Sequence, residues 1–196
     1  APVEVTFDGW TLVTMPLPSS GGFVLQSVLG QLDAAPGSWR GEMAAEAIHV
    51  VAEAERRAYA DRNSLLGDAD CVPVPLARLL APSRLAALGA GIDPHHATPS
   101  RLVTAGGSPR AEREETTHLS VATADGAAVS LTTTLNGAFG TGLVVPGAGV
   151  LLNNEMDDFT TAPGVPNLYD LVQGESNAVR AGARPLSSMT PTLVLR

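Results

Sequence analysis

The chain has little cysteine and no lysine. Cys71 is the one cysteine among 196 residues, and this excludes an internal disulfide and a thiolate-rich zinc site. All 12 basic residues are arginines, against 20 acidic residues. Because no basic stripe is available to hold a phosphate backbone, we expect no nucleic-acid partner.

Long apolar runs are also missing. The run at 142–152 is interrupted by glycine and proline and is shorter than the ~20 residues of a membrane-spanning helix. The opening letters APVEVTFDGW contain no charged segment followed by an apolar one, so they do not resemble a secretory signal. Strand-like sequence reaches both ends of the chain, at 3–7 and in PTLVLR, which predicts a piece of a longer protein.

The first 115 residues have mainly helical patterns after two strands at 3–7 and 11–15. Pro and Gly break the second strand, and apolar residues at helical spacing follow over 25–32, with Ser19 or Ser20 as the predicted N-cap. An amphipathic helix is predicted over 42–62. Its apolar stripe consists of Ala44, Ala47, Ile48, Val51, Ala54 and Ala58.

The remainder of this half is rich in loops. We predict a short helix near 82–88, and an exposed, mobile segment over 94–115 in which a protease or a self-cleavage could act.

A β-hairpin is predicted from residue 116 onwards. Two Thr- and Val-rich runs, 118–123 and 128–136, are separated by Ala124-Asp125-Gly126. A three-residue loop with left-handed Gly126 pairs the apolar residues with one another, whereas a two-residue loop would oppose apolar to polar residues. Burial of the apolar face therefore favours a register that places Thr116 opposite Thr134, with Asn136 next on the same face.

A row of threonines on a strand is more often a solvated surface than a catalytic one. Here, however, the row accompanies a dense cluster of amides and carboxylates at 153–158, entered from a predicted apolar strand over 144–152. The cluster does not have the spacing of a calcium loop. Ser187-Ser188 is by default a turn before a strand.

Several stretches carry a family resemblance. The matching segments, in collinear order over nearly the whole chain, are MPLPSSGG, AEAERRAYADRNSLLGD, TTHLSV, TLNGAFGTG, GAGVLLNNEMDDFT, PGVPNLYDLV and RPLSSMTPT. They resemble the gamma-glutamyltranspeptidase family of N-terminal nucleophile hydrolases. The resemblance implies an α+β fold, a partial αββα sandwich, in which residues 1–115 are the last part of a large subunit and 116–196 the first part of a small subunit.

The resemblance implies a precursor that is cut at the Glu115-Thr116 bond. Thr116 would then be the catalytic nucleophile, with Thr134 hydrogen-bonded to its hydroxyl. A free α-amine, with a pKa of about 7.7–8.0 in model compounds, can take the proton of the Thr116 hydroxyl, whereas the amide nitrogen of an uncut chain cannot. Cleavage would therefore activate the site.

The resemblance also implies substrate-binding residues. Asn136, Glu155 and Asp158 match positions that hold the α-amino group of a γ-glutamyl substrate, and Ser187 and Ser188 match positions that bind its α-carboxylate. Tyr169 falls in a stretch that forms a lid in several members. No metal or cofactor is implied.

The implied reaction is hydrolysis of γ-glutamyl amides such as glutathione, or γ-glutamyl transfer to an amino acid or peptide. One alternative is a cephalosporin or glutaryl acylase of the same fold; another is an uncleaved scaffold without catalysis. The family's oxyanion glycines and its carboxylate-binding arginine match no part of this chain, so we expect the chain to need the remaining large- and small-subunit segments for activity. Family members are usually exported, which is the expected location.

Overall fold

The computed structural model describes residues 1–37, 44–103, 116–167 and 172–196. The strands in these ranges are β1 (Val3–Phe7), β2 (Trp10–Thr14), β3 (Thr116–Ala122), β4 (Ala128–Thr134) and β5 (Thr192–Leu195). The helices are α1 (Gly21–Leu32), α2 (Ala45–Leu65), α3 (Leu76–Leu79) and α4 (Pro82–Ala90). No helix within the described ranges has both the length and the apolar character that a bilayer crossing requires.

Three strands form an antiparallel sheet in the order β1-β2-β5. β1 and β2 are joined at Asp8-Gly9, where both residues have positive φ (50° and 78°), as two-residue hairpin loops favour. β5 pairs with β2 from the other side and brings Thr192 opposite Thr14. Both predicted terminal strands are therefore confirmed, and they lie in one sheet.

The helices pack against one another beside this sheet. Their shared core consists of Val28, Leu32, Val50, Ala54, Ala58 and Ile92. The backbones of α1 and α4 are in direct contact at Gly89. A side chain would not fit there, because a Cβ at this position would lie 2.0 Å from the carbonyl oxygen of Gln31. The predicted helices are confirmed in kind, and α4 covers the short helix predicted near 82–88.

The predicted stripe of α2 is wrong in part. Val50 is fully buried, whereas Ile48 is exposed. Glu53 is also buried, where it binds Arg57 at 2.7 Å and pairs with Arg56. The helix continues to Leu65, and the predicted start at residue 42 lies outside the described residues.

Ser20 occupies the predicted N-cap position of α1 but does not cap it with its side chain. Its hydroxyl instead donates a hydrogen bond to the carbonyl oxygen of Ser187, at 2.7 Å. The predicted N-cap position is therefore confirmed at Ser20, but its side chain makes this long-range contact and no capping hydrogen bond. The start of α1 is thereby attached to the Ser187 loop.

The β3-β4 hairpin has the predicted register, with Thr116 opposite Thr134 and Leu119 opposite Leu131. Gly126 has a φ of 92° in the loop, as predicted. The apolar face is nevertheless not buried by the described residues. Its side chains, Leu119, Val121, Val129 and Leu131, are between 42% and 56% exposed.

The predicted apolar strand over 144–152 is wrong. The chain folds back on itself there, since the Val145 amide donates to the Val150 carbonyl at 2.9 Å and Val144 bridges to Leu151. Gly147 and Gly149, with φ of 81° and 69°, allow this reversal. The returning arm leads directly into the acidic cluster.

An ion pair joins the two predicted subunit regions. The Arg184 guanidinium binds the buried Asp68 carboxylate at 2.6 and 2.9 Å, and it also pairs with Asp70. Hydrogen bonds from Arg184 hold the pKa of Asp68 well below its usual range. The boundary at residues 115 and 116 itself adjoins the undescribed segment 104–115 and stays a prediction.

We predict that Arg184→Met destabilises the protein by about 1–3 kcal/mol, because it leaves the Asp68 carboxylate buried without its donor. Urea unfolding of the full-length protein that carries this chain would measure the loss. Arg180→Met is the matched control, since the Arg180 guanidinium lies 3.9 Å from the carboxylate of the exposed Glu175, and such surface ion pairs contribute at most about 1 kcal/mol. Equal losses in both variants would contradict the prediction.

Candidate active site

Two threonine hydroxyls meet at the open end of the hairpin. Thr116 is the first residue of β3, and its Oγ1 donates to Oγ1 of Thr134, the last residue of β4, at 3.4 Å. The Thr116 side chain is exposed and that of Thr134 is half-buried. Thr117 pairs with Thr133, and strand alternation turns it to the opposite face.

Asn136 follows this pair in a strained conformation. Its φ is 71°, in the left-handed region that asparagine tolerates better than most residues, and its side chain is buried. The turn directs the Asn136 amide to Thr134 Oγ1 at 3.0 Å. The Thr134 hydroxyl therefore contacts both the predicted nucleophile and the backbone of a predicted substrate-binding residue.

We predict that Thr134→Val lowers kcat about 10-fold and slows cleavage at the Glu115-Thr116 bond. Valine has the same shape but cannot accept the hydrogen bonds from Thr116 and Asn136, which are worth roughly 1–3 kcal/mol when a partner is left unsatisfied. Steady-state kinetics and intact mass would measure the two effects. Thr134→Ser retains the hydroxyl and should remain near the unmodified rate; an equal loss in both variants would count against the prediction.

Asn154 connects the hairpin to the acidic cluster. Its carbonyl accepts from Asn136 Nδ2 at 3.3 Å, its Oδ1 accepts from the Gly137 amide at 2.8 Å, and its own amide donates to the Leu135 carbonyl at 3.1 Å. Asn154 directly precedes a short 3-10 helix, Glu155–Asp158. The position of the two predicted carboxylates is thus fixed relative to Thr134 and Asn136.

The two carboxylates are held in an environment that disfavours their charge. Burial, together with the charges of Glu155 and Asp157, raises the pKa of Asp158 to about 6, and the buried guanidinium of Arg62 opposes this shift. Burial also raises the pKa of Glu155. Charges that repel one another and are only partly hydrated favour a cationic ligand, which would neutralise them.

Since the pKa of Asp158 is raised, its charged form prevails above about pH 6 and is lost below it. We predict that KM for a γ-glutamyl donor rises as the pH falls from about 8 to about 5, by up to roughly tenfold per unit below the pKa, because the protonated group no longer attracts an ammonium. The pH profile of KM measures this rise. A glutaryl amide, which lacks the ammonium, should show none of it, and a parallel rise for both substrates would contradict the assignment.

Ser187 and Ser188 lie in a loop that two elements hold in place. The Ser187 amide donates to the Pro18 carbonyl at 3.1 Å, and the Ser187 carbonyl accepts from the Ser20 amide at 2.8 Å. Asn177 joins this loop to the acidic helix, since its Nδ2 donates to the Asp158 carbonyl at 2.6 Å and its Oδ1 accepts from the Leu186 amide at 3.0 Å.

Hydrogen bonds therefore connect the predicted nucleophile pair to Asn136, and Asn136 to Asn154, which directly precedes Glu155. At the other end of the 3-10 helix, the Asp158 carbonyl is connected through Asn177 to the loop of Ser187 and Ser188. Tyr169 lies outside the described residues. Asn154 and Asn177 were not predicted as connecting residues, and the sequence around Asn177 has no local pattern that indicates its role. No group of three or more His, Cys, Asp or Glu side chains in the described ranges is placed to hold a metal ion.

The solved structure of cephalosporin acylase from Bacillus halodurans matches the whole chain with a TM-score of 0.72 at 19% identity, and the match covers 32% of that chain. This likeness shows the fold: over its whole length the chain shares the α+β fold of part of that protein. A family model described as Gamma-glutamyltranspeptidase matches residues 1–196, and the chain belongs to the gamma-glutamyltranspeptidase family.

Curated relatives agree with this family. The glutathione hydrolase proenzyme of Pseudomonas sp. strain A14 is 48% identical over 196 residues, which is 100% of this chain and 34% of the relative. The Acylase ACY 1 proenzyme of Pseudomonas sp. strain SE83 is 32% identical over 195 residues, covering 100% of this chain and 32% of the relative. The chain thus spans about a third of the length of both proteins.

Proposed function

We propose that the protein carrying this chain hydrolyses γ-glutamyl amides such as glutathione and transfers the γ-glutamyl group to amino acids or peptides, with Thr116 as nucleophile after cleavage at Glu115-Thr116. The observation that carries the proposal is the Thr116–Thr134 hydroxyl pair, linked by hydrogen bonds to Asn136 and to the acidic helix. The name of the Pseudomonas sp. strain A14 relative supports the same substrate class.

The chemistry needs a base, a nucleophile and a leaving amine. The free α-amine of Thr116 takes the hydroxyl proton while Oγ1 attacks the γ-carbonyl carbon. Collapse of the tetrahedral intermediate breaks the amide bond, the leaving nitrogen takes that proton, and an ester to Thr116 remains. Water or an amino group then attacks the ester and restores the hydroxyl. Thr134, at 3.4 Å from the Thr116 oxygen, holds that oxygen in position throughout.

The head group of the substrate is a zwitterion, and the site offers a complement for each charge. Glu155, Asp158 and the amide oxygen of Asn136 suit an ammonium, and the hydroxyls of Ser187 and Ser188 suit a carboxylate. The hydrogen bonds through Asn177 fix the spacing between these two groups of side chains.

Three matched p-nitroanilides test the proposal in the full-length protein. The γ-glutamyl compound has both charges, the glutaryl compound lacks only the ammonium, and the 4-aminobutyryl compound lacks only the α-carboxylate. We expect the γ-glutamyl compound to be cleaved with the highest kcat/KM. Cleavage of the glutaryl compound in preference to it would favour the acylase alternative, which the ACY 1 relative represents.

The scaffold alternative is tested by intact mass, since it predicts a chain that never separates at Glu115-Thr116. Export of the protein, and the other large- and small-subunit segments as partners in the active enzyme, stay predictions. Cell fractionation with an antibody to the chain would test the first, and co-purification of the two cleaved fragments would test the second.

A further inference from the structure

A cationic side chain is buried next to Ser188, one of the two serines predicted to bind the substrate α-carboxylate. Arg62 lies near the end of α2 and is only 2% exposed. Its hydrogen-bond acceptors are Ser20 Oγ at 3.2 Å, Asn63 Oδ1 at 3.0 Å, Ser188 Oγ at 3.3 Å and the Leu186 carbonyl at 3.4 Å. Its guanidinium thus contacts both the start of α1 and the serine loop.

These acceptors, within the described residues, are all neutral. Burying a guanidinium without a carboxylate hydrogen-bonded to it is costly, and burial accordingly lowers the pKa of Arg62, against the opposing charges of Tyr59 and of Asp158, which is not hydrogen-bonded to it. A structural role alone would be served by a neutral side chain at lower cost. In the part of the chain that the structure describes, no carboxylate hydrogen-bonds this guanidinium, so its charge can also act on an anion that arrives with a ligand.

Ser188 is the side chain through which this charge reaches the site. A guanidinium has only donors, so Ser188 Oγ must accept from Arg62, and the Ser188 hydroxyl proton remains available to donate elsewhere. The Ser188 side chain is exposed, so its proton can point to an incoming ligand. Arg62 also fixes Ser187, because Ser20 Oγ accepts from Arg62 Nε and donates to the Ser187 carbonyl.

We infer that Arg62 is a positioning and specificity-determining residue for the substrate α-carboxylate, which it serves through Ser188 by orienting and polarising the serine hydroxyl. The inference rests on the proposed function. It assigns to the buried cation of α2 a part in distinguishing zwitterionic γ-glutamyl donors from donors without a carboxylate.

The test uses Arg62→Lys and Arg62→Met in the full-length protein with the three p-nitroanilides. Loss of a charge-assisted hydrogen bond should raise KM roughly 10- to 100-fold for the γ-glutamyl and glutaryl compounds, which have the carboxylate. Near pH 8, well above the Asp158 pKa of about 6, the KM of the 4-aminobutyryl compound should stay within about twofold, as should kcat for all three. A structural role would instead lower the activity on all three compounds alike, and that result would overturn the inference.

Arg57→Met is the matched control, because Arg57 lies on the same helix and pairs with Glu53 instead. It should leave the ratio of KM values unchanged. If Arg62→Met does not fold, as judged by its melting temperature and by cleavage at Glu115-Thr116, the test uses Arg62→Lys, Ser188→Ala and the variant with both substitutions. Their effects on KM should be smaller together than the product of the two single effects; independent, multiplicative effects would overturn the inference.

The failure of the inference is distinct from that of the proposed function. An unmodified protein that ignores the α-carboxylate, with equal KM for γ-glutamyl and 4-aminobutyryl compounds, would remove the proposed function and the inference with it. An unmodified protein that requires the carboxylate, together with Arg62 variants that retain this requirement, would remove the inference alone.

Discussion

Thr116→Ala should abolish both cleavage at Glu115-Thr116 and turnover of γ-glutamyl amides in the full-length protein. Alanine has no hydroxyl to attack either the scissile peptide or the substrate, and the other groups of the site cannot replace it. Intact mass should show a single uncut chain, and product formation should fall by at least about 10,000-fold, to background.

Thr117→Ala is the matched control, since it removes a neighbouring hydroxyl that pairs with Thr133 on the other face of the hairpin. We expect it to be cleaved and active at close to the unmodified rate. If Thr117→Ala loses activity while Thr116→Ala is cleaved and active, the nucleophile has been placed on the wrong face of β3.

Asp158→Asn should lower kcat/KM for γ-glutamyl-p-nitroanilide on the order of 100-fold, mainly through KM. The substitution keeps the shape of the side chain but removes the charge that would pair with the substrate ammonium, and truncating such a pair typically costs about 2–5 kcal/mol. Steady-state kinetics near pH 8, where the Asp158 carboxyl with its pKa of about 6 is ionised, would measure the loss.

The adjacent Asp157→Asn is the control for this change in charge, with an expected effect within about threefold. The glutaryl compound provides a second control, because it has no ammonium and should lose little activity in Asp158→Asn. A loss of equal size for the glutaryl and γ-glutamyl compounds would mean that Asp158 supports the site structurally and does not bind the ammonium.

The hairpin shows how far local pattern can predict a site. Alternation and loop length gave the correct register, and with it the Thr116–Thr134 contact, because a strand has a fixed period and Gly126 a particular φ. The burial from which the register was argued is absent in the described residues, where both faces of β3 are exposed. Turn geometry and pairing of like side chains are sufficient to explain the register here.

Local pattern failed where a chain reversal or a distant partner decides the structure. The apolar run at 144–152 has strand composition, yet the left-handed Gly147 and Gly149 turn it back on itself. Serine is a residue type that favours N-caps, and Ser20 occupies the N-cap of α1. Its hydroxyl nevertheless donates a hydrogen bond to Ser187, a residue 167 positions away. The helical spacing of apolar residues predicted that α2 is an amphipathic helix. It could not predict that Glu53 is buried, because that burial depends on its ion pairs with Arg56 and Arg57.

The site contains residues that the sequence predicted and supporting residues that it did not. The family resemblance predicted Thr134, Asn136, Glu155, Asp158 and the two serines as site residues. In the structure, hydrogen bonds connect Thr134 with Asn136, Asn136 with Asn154, and the Asp158 carbonyl, through Asn177, with the loop that contains the serines. The supporting residues Asn154, Asn177 and Arg62 were not assigned roles, because each acts through partners that are distant in sequence. Only the folded chain brings those partners together.

Intact mass of the purified full-length protein, with sequencing of the smaller fragment, is the most direct measurement of the central claim. We predict two fragments, of which the smaller begins at Thr116 and gains the mass of an acyl group when a slowly deacylated γ-glutamyl substrate is added. A protein that cleaves γ-glutamyl amides while its chain remains uncut between Glu115 and Thr116 would contradict the claim.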